Sequence, residues 1–159
     1  MKPIRYRGGI VDFRIPFSWK EEYSDMDGGT FYEDQPDSGT FRLKVIGLQA
    51  SSEAKAKSAL EILNSLKQVQ GKGERQPNGT AMAQVEQDTV DRGQEIKIFY
   101  WIVAKLVPPM NARILTFSYT ILKRCESDPQ TQRDLEMLDR EIRAAKYSSE
   151  VGVAGSFNG

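Results

Sequence analysis

Residues 96–122 read IKIFYWIVAKLVPPMNARILTFSYTIL, and the way these side chains alternate decides the fold. The even positions Ile96, Ile98, Tyr100, Ile102, Ala104 and Leu106 are apolar without a break. The odd positions Lys97, Phe99, Trp101, Val103 and Lys105 are apolar in the middle and charged at both ends. Successive side chains of a strand point to opposite faces, so the pattern predicts a strand buried on both faces at its centre. Beyond Pro108 and Pro109 the alternation resumes. Leu115, Phe117, Tyr119 and Ile121 share one face, and Ala112, Ile114, Thr116, Ser118 and Thr120 share the other. β-branched and aromatic residues suit such a packed, pleated surface. Neither proline can donate to a ladder, so the loop 108–111 ends both strands and the two runs form a long central hairpin.

Upstream, residues 80–88 alternate Ala81, Ala83 and Val85 with polar side chains, a weaker and more exposed strand that turns into the hairpin at Asp91-Arg92-Gly93. Residues 51–69 place Ala56, Ala59, Leu60, Ile62, Leu63, Leu66 and Val69 at helical spacing opposite Lys55, Lys57, Glu61 and Lys67. That stripe predicts one amphipathic helix stopped by Gly71 and Gly73. Residues 40–48 alternate Phe41, Leu43 and Val45 with Arg42, Lys44 and Ile46, a half-buried strand that pairs as a hairpin with a strand at 30–33. Residues 10–15 form a short first strand closed by Pro16, and residues 17–23 a helical turn capped by Ser18, with Trp19 and Tyr23 four apart on one side.

Downstream, residues 129–147 form a second helix with Pro129 in its first turn and Ser127 (with Gln130) or Asp128 as its cap. Its buried seam is Leu135, Leu138, Ile142 and Ala145. Residues 151–159 are rich in Gly and Ser and read as a flexible tail after a single domain at 1–150. The expected class is α+β, an antiparallel sheet of about six strands sandwiched by helices in the order βββαβββα.

Composition narrows the function. Lys+Arg and Asp+Glu balance at 22 each in 159 residues, so no global field favours nucleic acid or an anionic membrane. There is no histidine, which removes the commonest acid–base group and the commonest metal ligand. The single Cys125 forms no internal disulfide, the charged N-terminal stretch lacks the apolar core of a secretory signal, and no run approaches a membrane span. A soluble, cytoplasmic protein is expected.

The sharpest local feature is acidic. Glu21, Glu22, Asp25, Asp27, Glu33, Asp34 and Asp37 fall in one stretch whose only basic residue is Lys20. Asp25, Asp27, Glu33, Asp34 and Asp37 are therefore candidate contacts for a basic protein partner, since exposed charge steers association. Acids are also common in turns for their own sake. A calcium loop starting at Asp25 puts Thr30 where the turn needs Gly and Pro36 where it needs Glu, so that reading fails. Cys125 follows Lys123 and Arg124 but has no histidine to serve as its base, and reads as a spectator thiol. Trp19, Tyr100, Trp101 and Tyr119 either line an apolar cleft or fill the core. Gly8-Gly9 and Gly71-Lys72-Gly73 lack phosphate-loop spacing. Lys55, Lys57, Lys67, Lys72 and Arg75 lack the interleaved aromatics of a nucleic-acid surface. No cofactor or metal set emerges.

Three segments carry a resemblance: FRIPFSW at 13–19, LTFSY at 115–119, and the closing helix running from Ile142 into Tyr147-Ser148-Ser149. In these and in element order the chain resembles the PsbP-like family of α/β/α domains, which includes the yeast Ran nucleotide-release factor. The resemblance implies a non-catalytic domain that binds other macromolecules, a small GTPase in one branch and a photosystem in another. No residue here matches the contact positions of either branch. The expected function is a protein-binding module that presents a sheet edge or the acidic loops to a protein partner. The alternative is a small-ligand carrier or minor enzyme with an aromatic-lined cleft between sheet and helix.

Overall fold

The computed structural model describes residues 1–150, so the expected tail at 151–159 lies outside the described residues. Strands β1 (Lys2–Tyr6), β2 (Val11–Ile15) and β10 (Lys146–Tyr147) form a three-stranded antiparallel sheet in the order β1-β2-β10. A second sheet has seven strands: β3 (Lys20–Ser24), β4 (Gly28–Tyr32), β5 (Thr40–Gln49), β6 (Glu74–Arg75), β7 (Ala81–Asp91), β8 (Gln94–Val107) and β9 (Asn111–Leu122). Its spatial order is β3-β4-β5-β9-β8-β7-β6, antiparallel throughout. The helices are α1 (Ala59–Ser65) and α2 (Pro129–Ala144).

The hairpin of β8 and β9 sits in the middle of the large sheet, as its alternation requires. Trp101, Val103, Leu115, Phe117, Tyr119 and Ile121 face one core, and Ile102, Ala104 and Ile114 face the other. The first core is sealed by α2 through Met137, Leu138 and Ile142, and by the small sheet through Ile4, Tyr6, Val11, Phe13 and Ile15. Four phenylalanines knit these layers. Phe13 meets Phe31 and Phe117 edge-on at 5.6 and 5.9 Å, and Phe41 stacks on Phe117 at 5.8 Å. Each buried ring contributes about 1.5–3 kcal/mol of transfer free energy. The second core is smaller, with α1 lying over Ala81, Ala83, Ile102, Ala104 and Ile114.

The class is α+β as expected, but one face of the large sheet is covered by a second sheet as well as a helix. The strand count exceeds the expected six because β1, β3, the two-residue β6 and the two-residue β10 are additional. β1 alternates buried Ile4 and Tyr6 with outward Pro3 and Arg5, and Pro3 is tolerated because β1 is an edge. Residues 20–24 are a strand rather than part of a helical turn. The Ser24 Oγ accepts from Asp27 N at 2.8 Å, closing a turn that folds β3 back on β4, and Trp19 is buried whereas Tyr23 is 55% exposed.

The single helix expected at 51–69 is also corrected. It is broken into a 3-10 turn at Glu53–Lys55, α1, and a second 3-10 turn at Lys67–Val69. Ser58, not Ser51 or Ser52, is the cap: its Oγ accepts from Glu61 N and the Glu61 carboxylate accepts from Ser58 N. A continuous helix would place Val69 about 120° around the axis from Leu63. The extended Leu66 (ψ 127°) instead lets both Leu63 and Val69 reach the sheet with no exposure. The second long helix ends at Ala144, not at 147, because Lys146 and Tyr147 pair with β2. Neither Ser127 nor Asp128 makes a side-chain cap there.

Candidate partner-binding edge

β3 is one edge of the large sheet, and all five of its residues are exposed. Its inner side pairs with β4 from Lys20–Tyr32 to Ser24–Gly28, so its outer backbone groups face away from the sheet. The strand exists because the sequence places turn chemistry at both ends of β4. Ser24-Asp25-Met26-Asp27 lies before it. After it comes a loop at 33–39 in which Asp37 takes a positive φ of 60°, a region short polar side chains tolerate.

The structure divides the acidic residues into two groups separated by the length of β4. Asp25 and Asp27 sit on the β3–β4 turn, and Glu33, Asp34 and Asp37 sit on the β4–β5 loop. Five residues of strand hold these groups about 13 Å or more apart. Glu21 and Glu22 on β3 lie between them. The whole edge is thus an acidic strip, not one compact cluster.

Several of these charges already have partners. Lys20 Nζ donates to Asp34 Oδ2 at 2.7 Å, Arg124 pairs with Asp37 at 3.0 Å, and Lys2 pairs with Glu21 at 3.0 Å. The Tyr23 hydroxyl donates to Glu21 Oε1 at 2.7 Å; this bond, helped by Lys2, holds the Glu21 carboxyl below its ordinary range. Burial and the same bond push the Tyr23 hydroxyl up. Tyr32 donates to Glu22 Oε1 at 2.7 Å, which pushes the Tyr32 hydroxyl up. Asp25, Asp27 and Glu33 form no ion pair among the described residues.

Charge alone did not reveal what stands beside the acids. Met26, at the apex between Asp25 and Asp27, is 88% exposed, and Tyr23 beside it packs on Tyr6 and Phe31 at ring distances of 6.3 and 5.8 Å. Tyr6, Arg7, Tyr23 and Asp25 help line a recess of about 420 Å³. An exposed methionine between two carboxylates, on the turn that ends an open strand, joins adaptable apolar contact to charge steering. The apolar signal in the sequence was Met26 itself, isolated in a polar turn.

The four candidate cleft aromatics do not surround a cleft. Trp19 and Tyr119 stack at 6.3 Å in the first core, Trp101 lies in the same core donating to Asp139 Oδ1 at 3.0 Å, and Tyr100 is half-buried on the opposite face. A cleft of about 250 Å³ does open between the sheet end and the segment before α1, and no aromatic among the described residues lines it. Cys125 is buried, and that burial pushes its thiol up despite Arg124. Among the described residues no group of acids and cysteine is placed to hold a metal ion, and no helix is long and apolar enough to cross a membrane.

A layered sheet with α2 and a small N-terminal sheet on one face and α1 on the other has solved counterparts. A structure of LpqN, involved in cell envelope biogenesis of Mycobacterium tuberculosis, superposes with a TM-score of 0.57 over 82% of this chain and 80% of that one, at 15% identity. The Saccharomyces cerevisiae Ran-binding protein Mog1p superposes at 0.56 over 97% of this chain and 98% of its own, at 10% identity. This chain has the Mog1p-like fold. A Bacteroides thetaiotaomicron structure superposes at 0.61 over 92% of this chain with 15% identity, and this chain spans 48% of that protein's length. No family model and no curated protein matches by sequence. At these identities the likeness concerns the fold.

Proposed function

We propose that this protein is a non-catalytic, cytoplasmic binding module that holds an extended, basic segment of a protein partner along β3. One observation carries the reading: β3 is an open edge strand, exposed along its whole length, and the strand with its two flanking loops bears seven carboxylates, of which Glu22, Asp25, Asp27 and Glu33 form no ion pair among the described residues. An extended peptide can add to such an edge through main-chain hydrogen bonds, with side chains supplying specificity. Exposed edges normally invite indiscriminate pairing, and charge on them discourages it. Two copies of this acidic edge repel each other, whereas a basic strand is attracted. The exposed Met26 offers an apolar anchor at one end. That Mog1p, with this fold over nearly its full length, is a Ran-binding protein supports the use of the scaffold for protein recognition. The lone buried thiol suits a reducing compartment.

The test is quantitative capture of partners on immobilised wild type and on the variant Asp25→Asn, Asp27→Asn, Glu33→Gln, Asp34→Asn. These positions are turn or loop residues, where such changes alter stability by about 0.5 kcal/mol or less each. The expected result is that proteins retained by wild type at low salt are lost from the variant, and are lost from wild type as salt screens the field. Equal capture by both removes the proposal.

A further inference from the structure

The cleft between sheet and α1 lies at the other end of β5 from the acidic loop at 33–39, because β5 runs from Thr40 beside that loop to Gln49 beside the β8–β9 turn. Ten residues of strand separate the two by about 30 Å. Leu48, Ile62, Leu106, Met110 and Ala112 supply most of its apolar lining. Pro108 and Pro109 form part of the wall, and proline brings no backbone N–H. The remaining polar side chains in the lining are Gln49, Asn111, Lys55 and Lys57. There is no acid among them, and neither lysine forms an ion pair among the described residues.

Apolar walls with a few placed polar groups are the usual composition of a small-molecule site. Here the apolar wall continues outward: Leu48 is 37% exposed and its neighbour on the same sheet face, Ile46, 55%. β4 pairs with β5 only over Thr40 to Leu43, so among the described residues no strand flanks the rest of β5 on its outer side. Two exposed lysines in the lining, with no ion-pair partner among the described residues, select an anion and reject a cation. A volume of about 250 Å³ falls just below that of drug-sized sites, which accommodates one alkyl chain and not a two-chain lipid. We infer that this cleft binds a free medium-chain fatty acid, its chain against Leu106 and Ala112 and its carboxylate between Lys55 and Lys57. This is a second site, independent of the β3 edge and of the reading proposed for it.

The inference is tested by recording amide spectra of the full 159-residue chain during titration with sodium decanoate, decanol and decylammonium below their aggregation concentrations. Saturable shifts are expected at Leu48, Ala56, Ile62 and Leu106, with decanoate binding about fivefold more tightly than decanol through two rim charges, and decylammonium weakest. The variant Lys55→Gln, Lys57→Gln should bring decanoate to the level of decanol and leave decanol unchanged. Ala56→Trp, at an exposed position of the lining, should block both. Absence of saturable shifts at these residues overturns the inference. So does decanoate binding that is indifferent to the two lysines, or decylammonium binding as tight as decanoate.

Discussion

Gly39 ends the acidic loop and is buried, although its φ is not in the left-handed region. What excludes a side chain there is space. A methyl group on Gly39 would lie 2.6 Å from Cε1 of Tyr119 and closer still to Cζ and Oη, well inside ordinary contact. Tyr119 is 1% exposed, stacks on Trp19, and donates its hydroxyl to Asp134 Oδ2 at 3.0 Å. In Gly39→Ala the ring must therefore shift by most of an ångström or the loop must lift. Overpacking of this kind costs about 1–3 kcal/mol. Losing a buried hydroxyl's bond to a carboxylate costs about 1.5–3 kcal/mol. One ring movement brings about both, so we expect about 2.5 kcal/mol in total, the sum of the low ends of the two ranges. For a chain of this size that lowers Tm by about 5–10 °C. Thermal unfolding followed by far-UV circular dichroism reads the shift, and near-UV dichroism reads the disturbed Trp19–Tyr119 stack. A Tm within about 2 °C of wild type, with an unchanged near-UV spectrum, refutes the packing of loop 33–39 against β9 and with it the stated positions of Glu33, Asp34 and Asp37.

Two further outcomes follow from the geometry. Ser58→Ala removes the reciprocal cap that starts α1 and should destabilise the protein by about 0.5–2 kcal/mol in urea unfolding, with Ser58→Asp restoring most of it. Burial raises the hydroxyls of Tyr119 and Tyr147 above their ordinary value of 10. The unfolded chain therefore loses these protons first: stability holds below pH about 10 and falls above it, by up to about 1.4 kcal/mol per pH unit for each tyrosine. Tyr119→Phe should flatten that alkaline decline in pH-dependent urea unfolding, and an unchanged slope would show the ring to be hydrated.

The alternation in 96–122 was sufficient to predict the central hairpin and to assign its side chains to two cores, because side-chain direction along a strand follows from backbone geometry alone. The half-burial of β5 was legible for the same reason, and so was the seam of α2, whose helical period is equally local. The acidic stretch was legible as composition. Its division between the two ends of β4 was not, since that depends on which strand pairs with which.

Tertiary structure decided the rest. Residues 20–24 carry no strong local preference and became a strand because β4 offered a partner with a closing turn. The apolar stripe at 51–69 was real, but a small patch of alanines and isoleucines on the sheet is reached by Leu63 and Val69 together only if the helix breaks at Leu66. The two-residue strands β6 and β10 have no signature of their own and exist only as additions to β7 and β2. Residue order determines where side chains point along one element. Only the assembled sheet determines which strand is left open at its edge and where two lysines join the lining of an apolar cleft, because both depend on contacts between residues distant in sequence.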